Sequence, residues 1–169
     1  MKHTYPFSKI VVNTSFGKLS TNSPDFKDKV LPEIMESFAT IVGQKGQERP
    51  ARISIAGFKL REGIVIGLKA TLRRKKMMQF IERVVHIVMP RIRDFHGISL
   101  HSVDKMGNLT FGIKEHVVFP EIVLEKARVS FGLEITLVPK GKLPRDKAIE
   151  LYRSIGVPFE RTVTAKKNK

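Results

Sequence analysis

The apolar residues of this chain change their spacing along its length, and that change limits the available folds more than any other feature. Residues 9–14 (KIVVNT) are rich in β-branched side chains and read as a strand. Phe26, Val30, Ile34, Phe38 and Ile41 then recur every three or four positions, which is one face of a helix ending near Gly43. Ser23 and Pro24 form a helix-start signal before it, and Pro32 inside it predicts either a kink or a later start. The pattern continues with strands over residues 52–56 and 64–72 and a helix over residues 75–88, which Pro90 should interrupt. Two further strands are expected over residues 109–113 and 132–138, and a last helix over residues 147–155. Hairpins alternating with single helices predict an α+β fold, a mostly antiparallel sheet with helices packed on one face. A single domain over residues 1–159 and a basic tail over residues 160–169 complete the expected organisation.

Charge narrows the functional classes. The 169 residues include 31 Lys+Arg against 16 Asp+Glu, a formal net charge of +15. Such an excess is difficult to reconcile with a small-molecule enzyme and natural for a protein that binds a polyanion. It is concentrated in residues 51–96, with 11 basic and 3 acidic side chains, and in residues 140–169, with 9 and 3. The intervening stretch is close to neutral. In the first territory the cations alternate with regularly spaced apolar residues, so they belong to folded elements.

Several chemistries are disfavoured. Cysteine is absent, which removes disulfides, thiolate zinc sites and a cysteine nucleophile. The five histidines lack metal-ligand spacing, and residues 43–47 (GQKGQ) do not satisfy the phosphate-loop pattern. No Ser/His/Asp arrangement can be argued, so no catalytic residue, cofactor or metal is expected. No apolar run reaches the ~18 residues needed to cross a bilayer, and the first six residues lack an apolar signal core.

Three segments carry the binding argument. Residues 57–63 (GFKLREG) form a glycine-bounded loop expected to project from a hairpin. In it Lys59 and Arg61 can meet phosphates, while Phe58 either packs at the loop base or stacks on a nucleotide. Arg73, Arg74, Lys75 and Lys76 place four cations at the positive end of a helix dipole, which costs stability unless phosphate is bound there. The run PRIRDFHG at residues 90–97 reads as a structured turn with one or both arginines facing RNA.

Taken in order, residues 54–63 (SIAGFKLREG), Ile66-Gly67 and residues 69–73 (KATLR) resemble a known family. So do residues 90–95 (PRIRDF), Gly107-Asn108, residues 112–115 (GIKE) and residues 119–122 (FPEI). It is the 5S rRNA-binding family that supplies the fifth protein of the bacterial-type large ribosomal subunit. The resemblance runs from about Lys9 to Phe159. It implies a non-catalytic protein of the central protuberance whose partners are 5S rRNA, large-subunit rRNA, neighbouring ribosomal proteins and peptidyl-site tRNA. Location on a ribosome in the cytoplasm or an organelle follows. Asn13, Gln44 and Thr71 match the family's polar 5S contacts, with Arg52, Arg73 and Arg74 assigned to the same RNA. Phe58, Lys59, Leu60, Arg61 and Glu62 match its tRNA-touching loop. A non-specific nucleic-acid chaperone or regulator, driven by the basic tail, is the alternative.

Overall fold

Alternation of side chains along the first strand decides where the core lies. In β1 (Phe7–Ser15), Ile10, Val12 and Thr14 are buried, while Val11 and Asn13 between them are only half-covered. The computed structural model describes residues 5–22, 25–123 and 127–160, so Ser23, Pro24 and the tail beyond Glu160 lie outside the described residues. β1 sits at the centre of a five-stranded sheet of order β2-β3-β1-β5-β4, antiparallel throughout. Its other members are β2 (Gln47–Pro50), β3 (Val65–Leu72), β4 (Leu109–Ile113) and β5 (Leu133–Pro139).

Helices cover one face of this sheet. Residues Gly17–Asn22 form the short α1, which carries no periodicity that sequence reading could detect. The expected long helix over Phe26 to Ile41 divides into a π-helical turn, Phe26–Val30, and α2, Leu31–Val42. Pro32 marks the later start: it lies in the first turn of α2, where its missing N–H leaves no hydrogen bond unmade. Gly43 ends the helix with φ +74°, a backbone conformation that suits glycine. Farther along, α3 (Arg74–Arg83) widens into a π-turn at Val84–Val88 and runs on through α4 (Met89–Arg91). Pro90 therefore does not interrupt the helical path, because the widened turn before it and its place in the first turn of α4 accommodate the ring. The last helix is α5 (Arg145–Ser154).

Phe38, Ile34 and Ile41 of α2, Met77 and Phe80 of α3, and Tyr152 of α5 meet Ile10, Leu72 and Leu137 in one buried cluster. Each such large apolar side chain contributes about 1.5–3 kcal/mol through removal from water. Tyr152 stacks on Phe7 with centroids 5.8 Å apart, and its hydroxyl donates to the Gly107 carbonyl at 2.7 Å. Arg83 ties the layer together: it pairs with Glu121 at 2.6 Å and donates to the Ile41 carbonyl at 2.6 Å. No described helix is long and apolar enough to cross a membrane.

One expected strand is displaced. Residues 52–56 do not enter the sheet; the edge strand is Gln47–Pro50, paired with β3 through Gln47 opposite Lys69 and Arg49 opposite Gly67. Pairing fails beyond Pro50, where the register shifts and the proline offers no N–H for the ladder. Ile53 and Ile55 have the composition of a strand but are exposed, and Ile55 pairs only with Leu60.

Candidate nucleic-acid interface

The face of the sheet turned away from the helices is polar. Opposed residues in an antiparallel ladder point to the same side. One row across the sheet therefore reads Gln47, Lys69, Asn13, Glu134 and Gly112. The next reads Thr71, Val11, Thr136 and Thr110, in which the Thr110 and Thr136 hydroxyls lie 3.1 Å apart. These side chains are half-buried or exposed, in contrast to the closed opposite face. Amides and hydroxyls predominate, the groups that can bond both donors and acceptors on base edges and ribose. A concavity of about 300 Å³ opens at one end of the face, lined by Asn13, Ser15, Ile113 and Glu134 among others.

Asn13 occupies the centre of the first row, and its amide Nδ2 lies 3.5 Å from Glu134 Oε1. Gln44 follows the glycine that ends α2 and donates from Nε2 to the Thr71 carbonyl at 3.2 Å. The fold thus brings Asn13, Gln44 and Thr71 to one neighbourhood, on adjacent strands and the turn beside them. Arg52 is not part of it. It lies in the exposed loop beyond β2, past the Val65 end of β3, about six residues or roughly 20 Å of strand from Thr71.

At the Leu72 end of β3 the cation cluster divides by role. Arg73 donates to the Ser8 carbonyl at 3.1 Å, and Lys76 donates to the Gly43 carbonyl at 3.1 Å, where it faces the negative end of the α2 dipole. Arg74 and Lys75 have no partner among the described residues and are exposed. Arg74 adopts φ +55°, an uncommon conformation for a side-chain-bearing residue.

The same end of the sheet gathers cations that sequence reading missed. Lys9 is on β1 beside Arg73; Lys140 donates its backbone N–H to the Pro6 carbonyl at 3.0 Å; Lys142 follows in the same turn. Lys105 belongs to the turn that leads into β4, where the Asp104 carboxylate accepts from the backbone N–H groups of Met106 and Asn108, each at 2.8 Å. Burial alone would raise the Asp104 pKa, but the Asn108 side chain and these backbone donors hold it below the usual carboxylate value. The missed open-face residues, Lys69, Thr110, Glu134 and Thr136, were detectable from the phase of each strand, since they occupy its non-core positions. Lys105, Lys140 and Lys142 carried no such signal.

The loop over residues 51–63 is a tied hairpin extension. Ala51 and Ile64, Gly63 and Ala51, and Ile55 and Leu60 exchange backbone hydrogen bonds of 2.8–3.1 Å. Glu62 donates its N–H to Ser54 Oγ at 2.9 Å. The left-handed position in the turn is Lys59, φ +52°, rather than Gly57. Phe58 is 74% exposed, so of its two expected placements packing into the loop base is not the one observed. With Leu60 it lines a groove of about 680 Å³ shared with Phe16, Leu19 and Phe131.

Comparison with known proteins decides the family. Residues 65–159 match the C-terminal part of the ribosomal uL5 protein family. The chain belongs to the ribosomal uL5 family. Large ribosomal subunit protein uL5 of Halothermothrix orenii is 42% identical over 151 residues, covering 89% of this chain and 81% of the relative. The uL5 proteins of Spiroplasma kunkelii (43%, covering 90% and 82%) and Geobacter sulfurreducens (42%, covering 89% and 81%) are similar. The match to the family's C-terminal part begins with β3, so Thr71, Arg73 and Arg74 fall within it, while Asn13, Gln44 and the loop at 51–63 precede it.

Proposed function

We propose that this chain is a structural constituent of the large ribosomal subunit, that its open sheet face binds 5S rRNA, and that Phe58, Lys59, Leu60, Arg61 and Glu62 touch peptidyl-site tRNA. The observation that carries the reading is the row of uncharged amides and hydroxyls centred on Asn13 and Thr71, with cations gathered at one end of the sheet. On this reading Arg73, Arg74 and Lys75 attract the phosphate backbone at long range, and the close contacts on the face discriminate. Asn13, Gln44 and Thr71 meet base edges and ribose hydroxyls, and the concavity beside Asn13 is of a size for an unstacked base. Arg52 adds a phosphate contact on the loop side. The exposed Phe58 ring offers a stacking surface for a tRNA nucleotide. The role is binding without catalysis or a cofactor, in a cytoplasmic ribosome, carried by a single domain over residues 1–159 with residues 160–169 as an accessory tail.

The test is the affinity for 5S rRNA and for an unrelated structured RNA across a range of salt. The expected result is a preference for 5S rRNA that persists as both affinities fall steeply with salt, because each neutralised phosphate releases counterion. Equal affinities throughout would favour the non-specific chaperone instead. Removal of residues 161–169 should leave the preference intact.

A further inference from the structure

The arginines at 91 and 93 are separate from the open sheet face. They follow α4, whose helical path packs against the opposite face through Val84, Val88 and Met89. The turn that carries them is rigid. Ile92 and Phe95 pack against the core, so Arg91, Arg93 and His96 are directed outward and exposed. Asp94 takes φ +53° and Gly97 φ +109°, and a Cβ at Gly97 would lie 2.5 Å from the Glu160 nitrogen. The adjoining Ile98 pairs in parallel with Phe159: its N–H donates to the Pro158 carbonyl at 2.8 Å, and its carbonyl accepts from Glu160 at 3.0 Å.

Two consequences follow from this clamp. Neither Arg91 nor Arg93 has an acceptor or carboxylate partner among the described residues, although Asp94 and Glu160 lie close in sequence or register. A helix C-terminus favours Arg91 on its own account, but nothing in the fold requires Arg93. Second, the chain leaves Glu160 beside the turn, and the sequence that follows, RTVTAKKNK, has four cations and no acidic side chain. A stiff backbone displaying two unpaired guanidinium groups fits paired phosphates, to which each can donate in a fork.

We propose that the turn at residues 91–96 is a second RNA-binding surface that holds a duplex segment while the sheet face is occupied by another RNA. The proposal rests on the reading of this chain as an RNA-binding protein. The full chain, saturated with 5S rRNA, is titrated into a fluorescent RNA duplex of about 16–20 base pairs and followed by anisotropy. A ternary complex is expected. Arg91→Ala with Arg93→Ala should weaken duplex binding at least about tenfold and flatten its salt dependence, with 5S affinity and thermal unfolding unchanged. Truncation after Glu160 should weaken it further in the double variant. Displacement of 5S rRNA by the duplex, or unchanged duplex binding by the double variant, would overturn the second surface. Equal affinity of the turn for polyglutamate would overturn its assignment to RNA. Failure to bind 5S rRNA would count against the proposed function alone, since the duplex titration without 5S rRNA still reads Arg91 and Arg93.

Discussion

The side-chain amide of Gln44 donates to the backbone carbonyl of Thr71 across 27 positions of sequence. It fixes the turn after α2 to the third strand while leaving the Thr71 hydroxyl on the open face. The two residues should therefore fail differently. Gln44→Ala should cost about 1 kcal/mol of stability together with RNA affinity. Thr71→Val keeps the carbonyl that Gln44 uses, so stability should hold while 5S affinity falls several-fold. Urea unfolding alongside RNA titration separates the two; matching losses in both variants would contradict this division.

Asn13 and Glu134 face each other on adjacent strands, an amide beside a carboxylate on a surface assigned to RNA. Asn13→Ala should lower 5S affinity by about 1–3 kcal/mol if its amide makes a buried bond to RNA. Glu134→Gln keeps an acceptor for Asn13 and removes a charge that repels phosphate. Its expected effect is a few-fold tighter binding, below about 1 kcal/mol, and largest at low salt. Weaker binding would instead mean that the carboxylate accepts a bond from the RNA.

Lys59→Ala with Arg61→Ala should leave 5S binding close to that of the parent chain and weaken contact with tRNA, because both cations lie on the tied loop beyond the edge strand. Protection of tRNA and 5S rRNA by reconstituted subunits would be compared. Loss of the 5S footprint with an intact tRNA footprint would assign the loop to the other partner.

His116 is 1% exposed, stacks on Phe131 at 4.1 Å, and accepts the Phe131 N–H at Nδ1, 3.4 Å away. Burial lowers its pKa, against the opposing pull of Glu33 and Glu115. The folded state therefore prefers the neutral ring. Its contribution to stability is complete above about pH 6.5, the unfolded value, and is lost as pH falls from there through the lower folded-state pKa. Denaturation at pH 7.5 and at pH 5.5 should show the parent losing more stability than His116→Phe. An equal loss in both would place the acid sensitivity elsewhere.

The spacing of Ile10 and Val12, of Phe38 and Ile41, and of Leu133, Ile135 and Leu137 was enough to determine the α+β order, the single covered face and most of the core. Such periodicities are local, fixed by the geometry of strand and helix. The cationic surplus of residues 51–96 was equally legible, and with it a polyanion partner. Where the edge strand lies was decided by pairing, because Ile53 and Ile55 have strand propensity but no neighbour to bond, whereas Gln47 and Arg49 meet β3. The meeting of Gln44 with Thr71, and of Lys105 and Lys140 with Arg73 at one end of the sheet, likewise waited on the tertiary fold. Contacts between residues tens of positions apart depend on strand order and register, and those are fixed by burying every element's apolar face at once rather than by any one segment.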